Sequence, residues 1–224
     1  TPCGTLFPYT TLFRSPDAMP GTLDDLLKPE WKGKIGIAKP LFGSTATWAA
    51  VVYTRAQQNA AGDAKSQKEI LEDLASGGYL QVVGGNKQSA QNVASGALAM
   101  GFTDTDDAII EKEAGKPVEI VYLDSAQDQA GTLFFPNTLS ILKDCPHPEN
   151  ARKLIEFLLS PEVELALANS PSAQIPVNPA IEAGEDFTPR VATPATVKPM
   201  EVDWDAVADN WDASVEWVKE TFGE

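Results

Sequence analysis

The chain has little cysteine, almost no histidine and a deficit of positive charge. Two cysteines, Cys3 and Cys145, and one histidine, His147, stand among 224 residues. With no CxxC pair and no Cys/His cluster, the sequence offers no structural zinc site and no basis for a Cys-His nucleophilic pair. His147 lies between Pro146 and Pro148 and reads as the residue that caps or precedes a helix, not as a catalyst. Few cysteines do not fix a redox compartment, because proteins of this size hold a core without disulfides. Lysine and arginine total 17 against 32 acids, a net charge of -15, and the pI is near 4.4. Such a surface repels phosphate backbones and anionic lipid, so no nucleic-acid partner is expected. No apolar run approaches the roughly 18 residues of a membrane span, and there is no internal repeat or low-complexity tract.

What is present is core material, 43% hydrophobic residues, enough for one large or two small domains. It is arranged as strand-to-helix junctions. Residues 35–38 read as a short buried strand, followed by Gly43-Ser44-Thr45 opening an apolar helix. Residues 80–83 read as a second strand, which Gly84-Gly85 turns into a polar helix beginning at Asn86. A third apolar run, 97–103, ends in Asp104-Thr105-Asp106-Asp107, after which Ile109 and Ile110 begin a helical pattern. Free N–H groups at helix starts suit anions, while simple capping by Ser44, Thr45 and Asp104 explains the same residues without a ligand. Capping by Asp104 does not account for Asp106 and Asp107, whose mutual repulsion is tolerated most easily when solvated or facing a cation or donor. Three successive turns ending in polar side chains are the pattern of a cleft lining in an open α/β sheet.

Further along, 118–122 reads as a strand and 132–142 as an extended crossing with a proline break. Ala151, Leu154, Ile155 and Leu158 share one face of a helix started by Pro148, and Ser160-Pro161 starts another. Residues 170–200 are proline-rich and aperiodic. The chain closes on a single amphipathic helix with Trp204, Val207, Trp211, Val215, Val218 and Phe222 on its apolar face. Residues 1–15 fit neither a signal peptide nor an element, and resemble a translated sequencing adapter; the expectation is a non-native tail with the protein proper entering near Pro16.

With these residues in view, the chain resembles the extracellular solute-binding proteins of ABC transporters, in their ferric-iron-binding branch. The resemblance runs from about residue 23 to about 179. It is carried by Asp24-Asp25-Leu26-Leu27-Lys28-Pro29-Glu30-Trp31-Lys32-Gly33-Lys34-Ile35-Gly36-Ile37-Ala38, by Asn150-Ala151-Arg152-Lys153-Leu154-Ile155-Glu156-Phe157-Leu158-Leu159-Ser160-Pro161-Glu162, and by Gln174-Ile175-Pro176-Val177-Asn178. It implies an α/β fold of the type II periplasmic-binding kind, two lobes of mixed sheet flanked by helices, with the first part of lobe 1 missing. Lobe 2 would span 21–127, and 128–224 would hold the crossing strands and the C-terminal part of lobe 1. The apolar face of the final helix would then lack its partner.

The resemblance also implies a role as the periplasmic or extracellular, monomeric partner of an ABC permease, with no resident cofactor and no chemistry of its own. In that branch a Ser-Gly pair after the first lobe-2 strand binds an anion, and Gly43, Ser44 and Thr45 stand there; an anion-touching asparagine matches Asn86. The branch then has an Asn-Asn-Tyr-Tyr run whose two phenolates bind Fe(III). Asp104, Thr105, Asp106 and Asp107 occupy those positions, so aspartates replace both tyrosines. Asp104 and Thr105 join the candidate ligand set, and Asp106 and Asp107 are the candidate metal ligands, because carboxylates are hard donors suited to a hard cation. Fe(III) with a synergistic anion is one cargo; an amine-bearing or zwitterionic solute fits the same side chains. A competing reading is an enzyme. Asp104-Thr105-Asp106 after an apolar strand resembles the opening of haloacid-dehalogenase-like, Mg-dependent phosphatases, with Asp104 and Asp106 as the working pair.

Overall fold

The computed structural model describes residues 3–13, 19–58, 65–182, 184 and 186–223. Two sheets share one strand. Strand β1 (Cys3–Phe13) pairs antiparallel with β4 (Met100–Asp104) and β5 (Glu119–Val121) through residues 9–13. Through residues 3–8 it pairs antiparallel with β6 (Phe134–Thr138) and β7 (Ile175–Pro176). The larger sheet runs β3-β2-β4-β1-β5, where β2 is Ile35–Ala38 and β3 is Leu80–Val83, and β2 is parallel to both neighbours.

The expectation that residues 1–15 form no element is therefore corrected. Thr, Phe, Tyr and Leu crowd residues 5–13, the β-branched and aromatic types that fit a pleated surface. Pro8 interrupts the run without ending the strand.

β2 is buried along its whole length, which is why it reads as a continuous apolar run. One face of the sheet is covered by α1 (Gly43–Gln57) and α2 (Gln67–Ser76), packed into a core with Leu23, Leu26, Trp31, Met100 and Phe102. Trp48 of α1 stacks on Phe102 of β4 with ring centroids 5.1 Å apart. The other face carries α3 (Asn86–Ser95) and α4 (Thr105–Glu113), which bury Ala90, Val93, Ala94 and Ala108. α3 lies close to the sheet because β2 and β4 each present a glycine to it. A Cβ on Gly36 would lie 2.7 Å from Leu98 Cδ1, and one on Gly101 would lie 2.3 Å from Ser89 Oγ. This close approach fixes the height at which Asn86 stands over the strand ends.

The C-terminal segment departs from the sequence reading in two ways. It is not one helix: α8 (Trp204–Asp209) and α9 (Trp211–Phe222) meet at Asn210, whose Nδ2 donates to the Ala206 carbonyl 2.8 Å away. The break rotates the buried face, so Val207, Ser214, Trp217 and Val218 go inward while Trp204 and Trp211 stay 43% and 39% exposed. Nor does this segment lack a partner or sit with the second sheet, as assigning 128–224 to lobe 1 had it. α9 packs on α1 and α2. Trp217 Nε1 donates to Glu72 Oε1 at 2.8 Å, Lys68 lies 5.3 Å over the Trp217 ring and pairs with Glu72, and Tyr53 packs against the same indole.

The face left open is that of α5 (Pro148–Leu158). None of its residues is buried, and Leu154 and Phe157 are each 57% exposed, although Ala151, Leu154, Ile155 and Leu158 share one face by periodicity. α6 (Pro161–Asn169) and the short α7 (Pro179–Glu182) complete the second sheet's cover.

Two outcomes follow from the packing. Trp217→Ala removes a nearly buried indole and its hydrogen bond, and is expected to cost about 3–5 kcal/mol in urea unfolding; a loss under 1 kcal/mol would mean that α9 is not part of the core. Gly101→Ala is expected to cost about 1–3 kcal/mol by forcing Ser89 and α3 away from β4, and an unchanged midpoint would show that the α3 approach is slack.

Candidate functional site

Because β2, β3 and β4 are parallel neighbours, their carboxyl ends lie in a row and the three following turns emerge on one edge. The turn after β2 delivers Gly43 with φ +59°, a left-handed conformation that only glycine adopts without strain, between extended Phe42 and the first helical turn. The turn after β3 delivers Gly84, Gly85 and Asn86. Thr103 Oγ1 donates to the Asn86 carbonyl at 3.1 Å, tying the start of α3 to β4.

Ala38, Lys39, Phe42, Gly43, Ser44, Thr45, Gly84, Gly85, Asn86 and Asp104 line one cavity of about 260 Å3. Five of the sequence-derived candidates, Gly43, Ser44, Thr45, Asn86 and Asp104, are thus gathered in one place. They are also wired together. Ser44 Oγ donates to Asp104 Oδ2 at 2.7 Å, Asn86 Nδ2 reaches Asp104 Oδ2 at 2.7 Å and Ser44 Oγ at 2.6 Å, and Thr45 Oγ1 donates to Asn86 Oδ1 at 3.0 Å. Neither hydroxyl caps α1, and Asp104, although it sits at the N-cap position of α4, makes no capping hydrogen bond with its side chain. Capping therefore does not account for these residues.

Thr105 is fully buried at the start of α4, and its Oγ1 has no hydrogen-bond partner among the described residues. It does not line the cavity. Asp106 and Asp107 likewise stand off the cavity wall, but Asp104, Asp106 and Asp107 each offer a carboxylate oxygen within 4.8 Å of the others. Lys39 and Phe42 are lining residues that sequence reasoning missed. Their only signal was position, immediately after β2 and immediately before Gly43.

The carboxylates sit uneasily. Burial pushes Asp104 up to about 6, against the pull of its bonds from Ser44 and Asn86 and with added repulsion from Asp106 and Asp107. Burial likewise raises Asp107 to about 6, together with repulsion from Asp106 and partly offset by Lys87, and burial raises Asp106 above the usual carboxylate range. Asp104 Oδ1 is buried and accepts no hydrogen bond among the described residues. On the other side of the balance, α1 and α3 both begin at the cavity wall, at Gly43 and Asn86, so the positive ends of two helix dipoles meet there. Both signs of potential are therefore present within one small site.

The sequence matches the profile of the bacterial extracellular solute-binding proteins over residues 4–195. Over 104 residues it is 28% identical to the spermidine/putrescine-binding periplasmic protein of Escherichia coli strain K12, a match covering 46% of this chain and 28% of that protein. Among solved structures, the periplasmic binding protein AfuA of Actinobacillus pleuropneumoniae, with exogenous fructose-6-phosphate bound, superposes with a TM-score of 0.81 at 21% identity, over 99% of this chain and 68% of that one. A ferric binding protein from Campylobacter jejuni gives 0.77 at 18% identity, over 98% and 69%. At such identities the structures establish a shared periplasmic-binding α/β fold. Among the described residues, no helix is long and apolar enough to cross a membrane.

The raised carboxylate gives a pH signature. A folded-state value of about 6 for Asp104 lies above its unfolded 3.8. The folded state therefore binds the extra proton, and stability falls as pH rises between about 4 and 6. Asp104→Asn keeps an acceptor for Ser44 and Asn86 while removing the charge, so it is expected to raise unfolding stability by about 3 kcal/mol at pH 7, with the gap closing near pH 3.5. A gap of the same size at both pH values would rule out this origin.

Proposed function

The chain belongs to the bacterial extracellular solute-binding protein family, and from that premise we propose that it captures a solute pairing an anionic group with a cationic centre and hands it to an ABC permease. The anionic group lies against Gly43, Ser44, Thr45 and Asn86, and the cationic centre against Asp104, with Asp106 and Asp107 clustered beside it just off the cavity wall. One observation carries the reading: Asp104 holds the Ser44 hydroxyl and the Asn86 amide at the very edge where two helix N-termini open on the cavity. A lone anion there meets a carboxylate, and a lone cation meets two positive helix ends. A ligand with both signs satisfies each half of the site.

Fe(III) with a synergistic anion is such a pair. Three clustered carboxylates are a hard-oxygen set, and a cation would relieve the repulsion that raises Asp107. An ammonium-bearing anion is the other. The names of the relatives mention cargo of either sign, a polyamine, a sugar phosphate and ferric iron, and so do not choose between the two. The family and its fold neighbours are transport binding proteins, not enzymes, which removes the dehalogenase-like phosphatase reading of Asp104 and Asp106.

Binding to the folded state raises the unfolding midpoint in step with ligand excess over Kd. A thermal-shift series with Fe(III), carbonate, Fe(III) plus carbonate, and O-phosphoethanolamine is expected to show a shift only with paired charges. The Asp106→Asn, Asp107→Asn double variant is expected to weaken that binding by about 100-fold without lowering the midpoint of the free protein. Unchanged affinity in the double variant would sink the assignment of the cationic half.

A further inference from the structure

Phe42 is the one large apolar side chain lining an otherwise polar cavity, and it is 69% exposed. It adopts an extended conformation, φ -139° and ψ 153°, directly before the left-handed Gly43, so the backbone turn that opens α1 also presents the ring at the cavity mouth. Its ring belongs to none of the buried hydrophobic clusters. Leu41, one residue earlier, is the side chain that packs against the main core, and the hydroxyl network begins only at Ser44. The cavity, at about 260 Å3, is also larger than its polar walls need for a bare ion, since a water molecule takes about 30 Å3 of liquid.

We infer that Phe42 is a specificity-determining residue whose ring stacks on a planar, unsaturated portion of the solute, so that the cargo is an organic molecule with both charges attached to or beside a ring, not a metal ion with a free inorganic anion. This rests on the paired-charge reading of the same cavity. Stacking against an exposed phenyl needs no change in the polar half of the site. It also accounts for an aromatic exposed to water in the free protein, where its apolar surface stays uncovered until the ligand arrives.

The test compares two probes with the same spacing between phosphate and ammonium, 3-aminopropyl phosphate and 2-(aminomethyl)phenyl phosphate, by titration calorimetry on this chain. The ring-bearing probe is expected to bind about tenfold more tightly. Phe42→Ala is expected to bring the ratio of the two affinities close to one, and Phe42→Trp to preserve it, while Ser44→Ala weakens both probes together. Equal affinities in the unaltered protein, or a ratio that survives Phe42→Ala, would overturn the role of Phe42 while leaving the paired-charge site standing. Failure of both probes to bind would overturn the inference, and the paired-charge site falls with it when Fe(III) plus carbonate gives no binding either.

Discussion

Parallel pairing of β2 with β3 and β4 is the constraint on which the site depends. In a parallel ladder all carboxyl ends point one way, so three turns that are far apart in sequence, at residues 39–45, 84–86 and 104–107, must open on the same edge. The helices that follow then bring their positive ends to that edge without any further instruction. The packing that holds the ladder is dense and local to it: Trp48 on Phe102 from one side, and α3 against Gly36 and Gly101 from the other. A shift of one element by the width of a methyl group would break the bonds among Ser44, Asn86 and Asp104, each between 2.6 and 2.7 Å.

The same arrangement explains why the site holds energy against itself. Asp104 is drawn inward by two donors, yet burial and two neighbouring acids oppose its charge. Binding sites commonly keep such imbalances, because a group fully satisfied in the free protein has nothing to gain from a ligand. Here the imbalance has a direction. The orphan Oδ1 of Asp104 calls for a proton or a cation, and the helix starts beside it call for an anion.

Much of the larger sheet and its edge was legible in the sequence, because its signals are short-range. β2 is a pure apolar run, Gly84-Gly85 and Gly43 punctuate the turns, and the polar residues after them are few. What the sequence could not show was how the polar residues address one another. Spacing alone left Ser44, Thr45 and Asp104 as helix caps, whereas contacts across 60 and 18 residues turn Asp104 toward Ser44 and Asn86. β1 was missed because residues 1–15 resemble a translated adapter and all of the strand's partners are distant in sequence. The α8–α9 break was missed because Asn210 is compatible with a helix, and only its bond to Ala206 and the docking of Trp217 decide otherwise. For α5 the shared apolar face was legible and its exposure was not, since amphipathy states what a face would cover and says nothing of whether a cover is there.

Strand β1 contributes one continuous backbone to both sheets, residues 9–13 to the larger and 3–8 to the smaller, with a register shift between Cys3 and Leu6. Two domains that merely touch can melt separately, each keeping its own ladder. Two that draw on the same strand cannot, because loosening either one frees an end of the strand the other is using. Thermodynamic coupling between the two halves is therefore built into the chain path itself, and it would persist however small the side-chain interface between them became.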